Sequence, residues 1–263
     1  MPVSQPNPFG EIELGDPIVI ELAETLRAPA KLTVSLRITG VRPDGYHELD
    51  AEFVTVDLAD ELTFSPGDGL EVIDEAGGGL TVPADATNLV ARALLAAGRT
   101  ARVRIVKRIP AGGGLGGGSA DAAAALRWAG VRDPSVAAGL GADVPFCLHG
   151  GRARVQGIGD LVQTLVFIER AFTLVTPSFG CSTPDVYRAW DDLGGPTAAG
   201  VNDLEPAALA VEPRLAEWRD RLGNATGKTP VLAGSGSTWF VDGVHPEVPG
   251  SRVVRAVPAG WAG

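Results

Sequence analysis

The clearest periodic signal lies between residues 31 and 38, where Leu32, Val34, Leu36 and Ile38 alternate with Lys31, Thr33, Ser35 and Arg37. A period of two puts each set on its own face of a β-strand, the four aliphatic residues inward. Asp44-Gly45 in "RPDGYHE" has the chemistry of a hairpin turn, and "EFVTVDL", "ELTFS" and, more weakly, "GLEVIDE" read as further strands. Thr87 is placed to cap a helix through "NLVARALLAAG" that Gly98 ends. "ARVRIVKRI" reads as a strand, "SADAAAALRWAG" as a helix closed by Gly130, and "CLHGGRARVQGIGDLVQTL" as a hairpin. "AFTLVTP" opens a second half as a strand. Helices over 185–193 and 206–221, a strand, glycine turn and strand or helix start in "VLAGSGSTWFV", and a last strand in "RVVRAV" complete it. Strands and helices in mixed order, with hairpins early, predict an α+β fold rather than a doubly wound sheet. Residues 1–27, with Pro2, Pro6 and Pro8, read as an extension in which "PIVIELAETL" adds a strand or short helix. A domain boundary is expected near residue 165.

Composition narrows the classes of function. The chain has 263 residues, 45% hydrophobic and 21% charged, which fits one large or two small globular domains. A net charge of -10 argues against a nucleic-acid or anionic-membrane partner. It does not argue against a small anion held by backbone N–H groups. Two cysteines make a disulfide framework improbable and fit a reducing, cytoplasmic setting; with only three histidines they give no zinc spacing. No apolar run approaches the roughly 20 residues of a membrane helix, and no signal-peptide succession opens the chain.

The stretch "RIPAGGGLGGGSADAAAAL" stands apart. Helix N-termini carry unpaired N–H groups and partial positive charge, and glycines ahead of one let the backbone curl round a phosphate. A strand, two glycine triplets, Ser119 and an alanine helix therefore read as a phosphate cradle. It is not the usual P-loop, which needs lysine before the serine. "GNATGKT" is a decoy, one residue short between its glycines and followed by proline. Gly112, Gly114 and Gly117 fit G-x-G-x-x-G, but the acidic residue a dinucleotide site wants about 20 positions later falls on Asp133, in a loop.

The cradle resembles the central motif of the GHMP kinases, Pro-x-x-x-Gly-Leu-Gly-x-Gly-Ser-x-x-Ala. The doubled triplet, with "APAKL", "RPDGYHEL", "TNLVARA", "GLGADVPF", "STPDVYRAW", "VNDLEP" and "AGSGSTWF" in order between about residues 28 and 240, is similar to the 4-diphosphocytidyl-2-C-methyl-D-erythritol kinases among them. This resemblance implies a ribosomal S5 domain 2-like N-terminal domain over 28–165 and a ferredoxin-like C-terminal domain over 166–263. It also implies transfer of the γ-phosphate of ATP, with Mg2+, to the 2-hydroxyl of a small cytidine-diphosphate substrate in non-mevalonate isoprenoid synthesis. Asp143 would be the base and Lys31 its catalytic partner. Pro110, Ala111, Gly112, Gly113, Gly114, Leu115, Gly116, Gly117, Gly118, Ser119 and Ala120 would hold ATP, with Ser119 a candidate magnesium ligand. Thr33, Tyr46, His47, Thr183 and Tyr187 would bind substrate. Gly234, Ser235, Gly236 and Ser237 form a third motif that shapes the site. Three features depart from the family: Thr33 replaces the usual asparagine, the link over 127–140 is short, and residues 1–27 have no counterpart. A homoserine- or mevalonate-type kinase, or an inactive nucleotide-binding relative, stays open at this point. So does the choice between monomer and homodimer.

Overall fold

A computed structural model describes residues 23–77 and 80–262. The loose, proline-bearing start and most of "PIVIELAETL" lie outside the described residues. The predicted extension ends earlier than residue 27, because β1 (Glu24–Val41) already begins at Glu24. It pairs antiparallel with β2 (His47–Ser65) across a turn where Gly45 takes a φ of +85°. "EFVTVDL" and "ELTFS" are thus one continuous strand of 19 residues.

The expected alternation along β1 breaks. Thr33 faces Phe53 while Ser35 faces Glu52, so Val34 is an extra residue in a β-bulge. One added residue reverses every side chain beyond it. Leu32 and Val34 therefore pack with Phe172, Leu174 and Phe240, whereas Leu36 and Ile38 join the opposite core with Leu126 and Phe146. A second irregularity between Pro29 and Lys31 brackets the segment. Both faces of Leu32 and Thr33 are covered, so Lys31 and Thr33 are buried polar residues on the helix side.

β2 is the spine of the first sheet. It pairs with β1 along one edge, and on the other with β4 (Arg102–Lys107) at one end and β5 (Arg152–Gly157) at the other. β3 (Gly69–Asp74) adds in parallel to β4, and β6 (Leu161–Thr164) closes a hairpin with β5. Over one face lie α1 (Leu89–Ala96), α2 (Gly117–Trp128), α3 (Pro134–Leu140) and α4 (Val144–His149). Asn88, not Thr87, caps α1, its side chain accepting from the Val90 N–H. Residues 147–149 finish α4 instead of starting the hairpin. The short link holds only the seven-residue α3, capped by Asp133. Ala120 and alanines 122–125 of α2 are all buried, which lets the helix lie close on the sheet, and Trp128 stacks on Phe64 at 4.6 Å.

A second sheet follows, ordered β10-β7-β9-β8 and wholly antiparallel, from β7 (Ala171–Val175), β8 (Val231–Leu232), β9 (Trp239–Asp242) and β10 (Ser251–Arg255). It packs on the other face of the β1–β2 hairpin, joined by the Val257 N–H donating to the Thr55 carbonyl at 2.9 Å. Between β7 and β8 run α5 (Thr183–Asp192), α6 (Glu205–Val211) and α7 (Leu215–Thr226). The single helix expected over 206–221 is two, because Pro213 cannot supply the N–H that would continue α6. The decoy "GNATGKT" is the end of α7 and its left-handed Gly227. No helix among the described residues is long and apolar enough to cross a membrane.

Candidate functional site

A cavity of about 1250 Å³ opens where β1, the hairpin tip, the glycine stretch, α5 and the turn at Gly234 converge. Residues 110–119 form one wall. Gly112, Gly114 and Gly116 all have φ near +70°, and Gly116 is the N-cap of α2. The chain curls because glycine alone adopts three left-handed positions in five residues without strain. Proximity makes a second demand. A Cβ on Gly116 would lie 2.7 Å from Lys31 Cγ, so the lysine crosses directly over the cradle. The Lys31 N–H also donates to the Leu115 carbonyl at 3.0 Å, tying strand and loop together.

Lys31 is the centre of the polar cluster. Its Nζ donates to Thr33 Oγ1 at 3.0 Å, lies 3.2 Å from Asp143 Oδ2, and sits 4.6 Å from the centre of the Phe53 ring. Thr33 thus shares the face and the cavity with Lys31, as the alternation requires. Asp143 stands at the N-cap of α4, yet its side chain makes no capping hydrogen bond. Most aspartates in Gly-x-Asp turns are spent on such a cap; this one is one-third exposed, with its carboxylate turned to Lys31 and the cavity.

Opposite the cradle are Tyr46, exposed at the hairpin tip, His47 and the half-buried Tyr187 of α5. Burial first, and then the Asp143 charge, push the Tyr187 phenol above its ordinary range. Thr183 Oγ1 and Ser235 Oγ share a hydrogen bond of 2.8 Å that joins α5 to the third glycine turn. Gly234 and Ser235 line the cavity. Gly236 and Ser237 lie behind it, as does Ala120, the first buried alanine of α2.

Several neighbours of the site have roles that only the fold reveals. Asn202 is fully buried, and its Nδ2 donates to the carbonyls of Leu232 and Gly234 at 2.9 and 2.7 Å, clamping the third turn. Beneath the cradle, Lys107 Nζ is held by Asp60 and by Asp121 Oδ2, the latter at 2.5 Å. Asp60 also accepts from the N–H groups of Arg108 and Ile109, which lead into the glycines. Burial pushes Asp121 up to about 7 against the pull of Lys107. Burial lowers Lys107, but the two carboxylates more than offset it and its pKa is raised. This network fixes the floor on which residues 108–117 rest. Asp60 is distant in sequence from the motif it supports, and only the β2–β4 pairing brings it there.

No group of three His, Cys, Asp or Glu side chains is placed to hold a metal among the described residues. A magnesium ion travelling with nucleotide phosphates needs less, since phosphate oxygens and water fill most of its positions. The hard oxygens of Ser119, in the first turn of α2, and of Asp143 both face the cavity and suit it.

Comparison with known proteins agrees with this geometry. Residues 84–151 match the family model described as GHMP kinases N terminal domain. The 4-diphosphocytidyl-2-C-methyl-D-erythritol kinase of Paracoccus denitrificans is 37% identical over 259 residues, covering 89% of this chain and 93% of its own. The enzyme of that name from Ruegeria pomeroyi is 38% identical, over 89% of this chain and 95% of its own. A crystal structure of 4-(cytidine 5'-diphospho)-2C-methyl-D-erythritol kinase superposes with a TM-score of 0.70 at 31% identity, covering 89% of this chain and all of that one. With this identity over nearly the whole of both chains, the chain belongs to the 4-diphosphocytidyl-2-C-methyl-D-erythritol kinase family.

Proposed function

We propose that this kinase transfers the γ-phosphate of ATP to the 2-hydroxyl of 4-diphosphocytidyl-2-C-methyl-D-erythritol, with Asp143 and Lys31 as its catalytic residues. The observation that carries the reading is the 3.2 Å pair of Lys31 Nζ and Asp143 Oδ2 against the glycine cradle. Phosphoryl transfer asks a protein chiefly for positioning and charge neutralisation, plus a carboxylate within reach of the hydroxyl proton. Asp143 takes that proton as the hydroxyl oxygen bonds to the γ-phosphorus. The bond from that phosphorus to the bridging oxygen breaks, and its electron pair leaves with ADP. Lys31 holds the carboxylate in place and faces the negative charge that develops, in a site where low exposure strengthens both effects. The N–H groups of residues 112–119 and the N-terminus of α2 receive the phosphates. Ser119 would help hold a magnesium ion bound with the nucleotide, which would supply further charge neutralisation.

Tyr46 and Tyr187 flank the space for the cytosine ring, and His47 reaches its edge. Thr33 orients the ammonium of Lys31 in place of the family's asparagine amide. Nucleotide binding lies within 28–165, while 166–263 adds Thr183, Tyr187 and the third turn. The substrate is thus gripped from both parts of the chain. The test is ADP release from Mg-ATP with the cytidylated substrate, methylerythritol phosphate, homoserine or mevalonate, each alone. Turnover with the cytidylated compound only is the expected result. Turnover with homoserine or mevalonate instead would remove the substrate assignment, and no turnover with any acceptor would remove the kinase assignment.

A further inference from the structure

α5 presents three side chains to one imidazole. Tyr187, Trp190 and Asp191 stand at positions i, i+3 and i+4, which share a helix face. The Tyr187 ring lies 4.8 Å from the His47 ring, and the Trp190 ring 5.4 Å away, edge-on. Asp191 Oδ1 is 2.8 Å from His47 Nε2. The His47 side chain is only 9% exposed and so cannot turn freely, whereas that of Asp191 is 48% exposed. His47 Nδ1 has no partner among the described residues and is not sealed in the interior, and His47 lines the cavity.

From this arrangement we infer that Asp191 is a positioning residue that sets base specificity, by fixing the His47 tautomer so that Nδ1 offers a lone pair to a 4-aminopyrimidine and rejects a 4-oxopyrimidine. The inference rests on the reading of this cavity as a cytidine-diphosphate site. Its chemistry is simple. An ionised carboxylate only accepts hydrogen bonds, so the shared proton belongs to Nε2. In the neutral ring Nδ1 is then an acceptor. Cytosine places an N–H donor at C4 and uracil a carbonyl oxygen. The first completes a hydrogen bond with the Nδ1 lone pair; the second meets it with repulsion and leaves two polar atoms unsatisfied. Sites built around a specific hydrogen bond reject the mismatched analogue strongly for this reason. Without Asp191 the proton is free to sit on Nδ1, which then donates to uracil as readily as the other tautomer accepts from cytosine.

Two measurements on the full chain test this without relying on turnover. The first is binding of CDP and of UDP, each displaced by the cytidylated substrate, in the wild type, Asp191→Ala and Asp191→Glu. The wild type should prefer CDP by on the order of a hundredfold, Asp191→Ala should cut that ratio at least tenfold, and Asp191→Glu should restore part of it. The second is a long-range nitrogen-15 spectrum at pH 8. His47 should show protonated Nε2 and bare Nδ1 in the wild type and a tautomer mixture in Asp191→Ala, with the other two histidines unchanged. In steady state the alanine effect should fall on KM for the cytidylated substrate rather than on kcat. Equal binding of CDP and UDP by the wild type, an unchanged ratio in Asp191→Ala, or a His47 proton on Nδ1 in the wild type would overturn the inference. Failure of the acceptor panel with a correct tautomer and base preference would instead count against the kinase reading alone.

Discussion

A methyl group on Gly114 would lie 2.2 Å from the carbonyl oxygen of Ala233 and 2.8 Å from that of Gly236. Ordinary contact begins near 3.4 Å, so one partner must retreat by more than an ångström. Both obstacles are backbone, and Asn202 fastens the turn they belong to, so the glycine loop is the part that moves. Misplacement of about 1 Å in a catalytic array costs on the order of a hundredfold in rate. Gly114→Ala should therefore lower kcat/KM for ATP about a hundredfold in the ADP-release assay. Backbone strain must be separated from collision, and Gly130 at the end of α2 does so. It has the same φ of +77° with nothing within 4 Å of the added methyl. Gly130→Ala should lose only the strain term, about 1–2 kcal/mol in urea unfolding, with kcat/KM within twofold of wild type. Should Gly114→Ala keep a third or more of wild-type activity, or should both variants lose activity alike, the account of the cradle as a close-packed surface is wrong.

Asp143→Asn removes the proposed proton acceptor and leaves shape intact, so kcat should fall about 10²–10⁴-fold with KM values within threefold, read from initial rates. Asp60→Ala leaves the buried Lys107 short of a counter-ion and two N–H groups without an acceptor, and should cost about 3–5 kcal/mol in urea unfolding. Asp121, raised to about 7 by burial, binds a proton more tightly in the folded chain than in the unfolded one. Its contribution is complete below the unfolded pKa and is lost as pH climbs through 7. The unfolding free energy of Asp121→Asn should therefore gain on wild type between about pH 4 and 7, by at most about 1.4 kcal/mol per pH unit, and level off above 7; parallel curves across that range would contradict this.

The parts of the site legible in the sequence are those whose chemistry is local. Glycines before an alanine helix announce a phosphate cradle, and Lys31 and Thr33, two apart, share a face on any strand. What escaped reading depends on partners. The bulge at Val34 sends Leu36 to the opposite core from Leu32, and nothing in an alternating string marks the skipped pairing. Pro213 could have warned of the break between α6 and α7, but the apolar periodicity on either side masked it. Asp60 and Asp191 look like ordinary polar residues until the sheets and α5 bring them beside residues far along the chain, and Asn202, although it lies in "VNDLEP", shows its grip on the third turn only in the fold.

The closeness of the Gly114 loop to Ala233 and Gly236 also has a bearing on how the enzyme is made. The glycine loop and its lysine leave the ribosome first, whereas the carbonyls that close over them, at residues 233 and 236, and the β10 strand that docks beside β2 follow more than a hundred residues later. At roughly 5–20 residues per second, several seconds separate the two events. During that interval the nascent chain holds a phosphate-binding loop with no lid. A chain terminated before Ala233 would carry Lys31 and Asp143 and still lack the turn that closes over the glycine loop, so interrupted synthesis is expected to yield no partly active kinase.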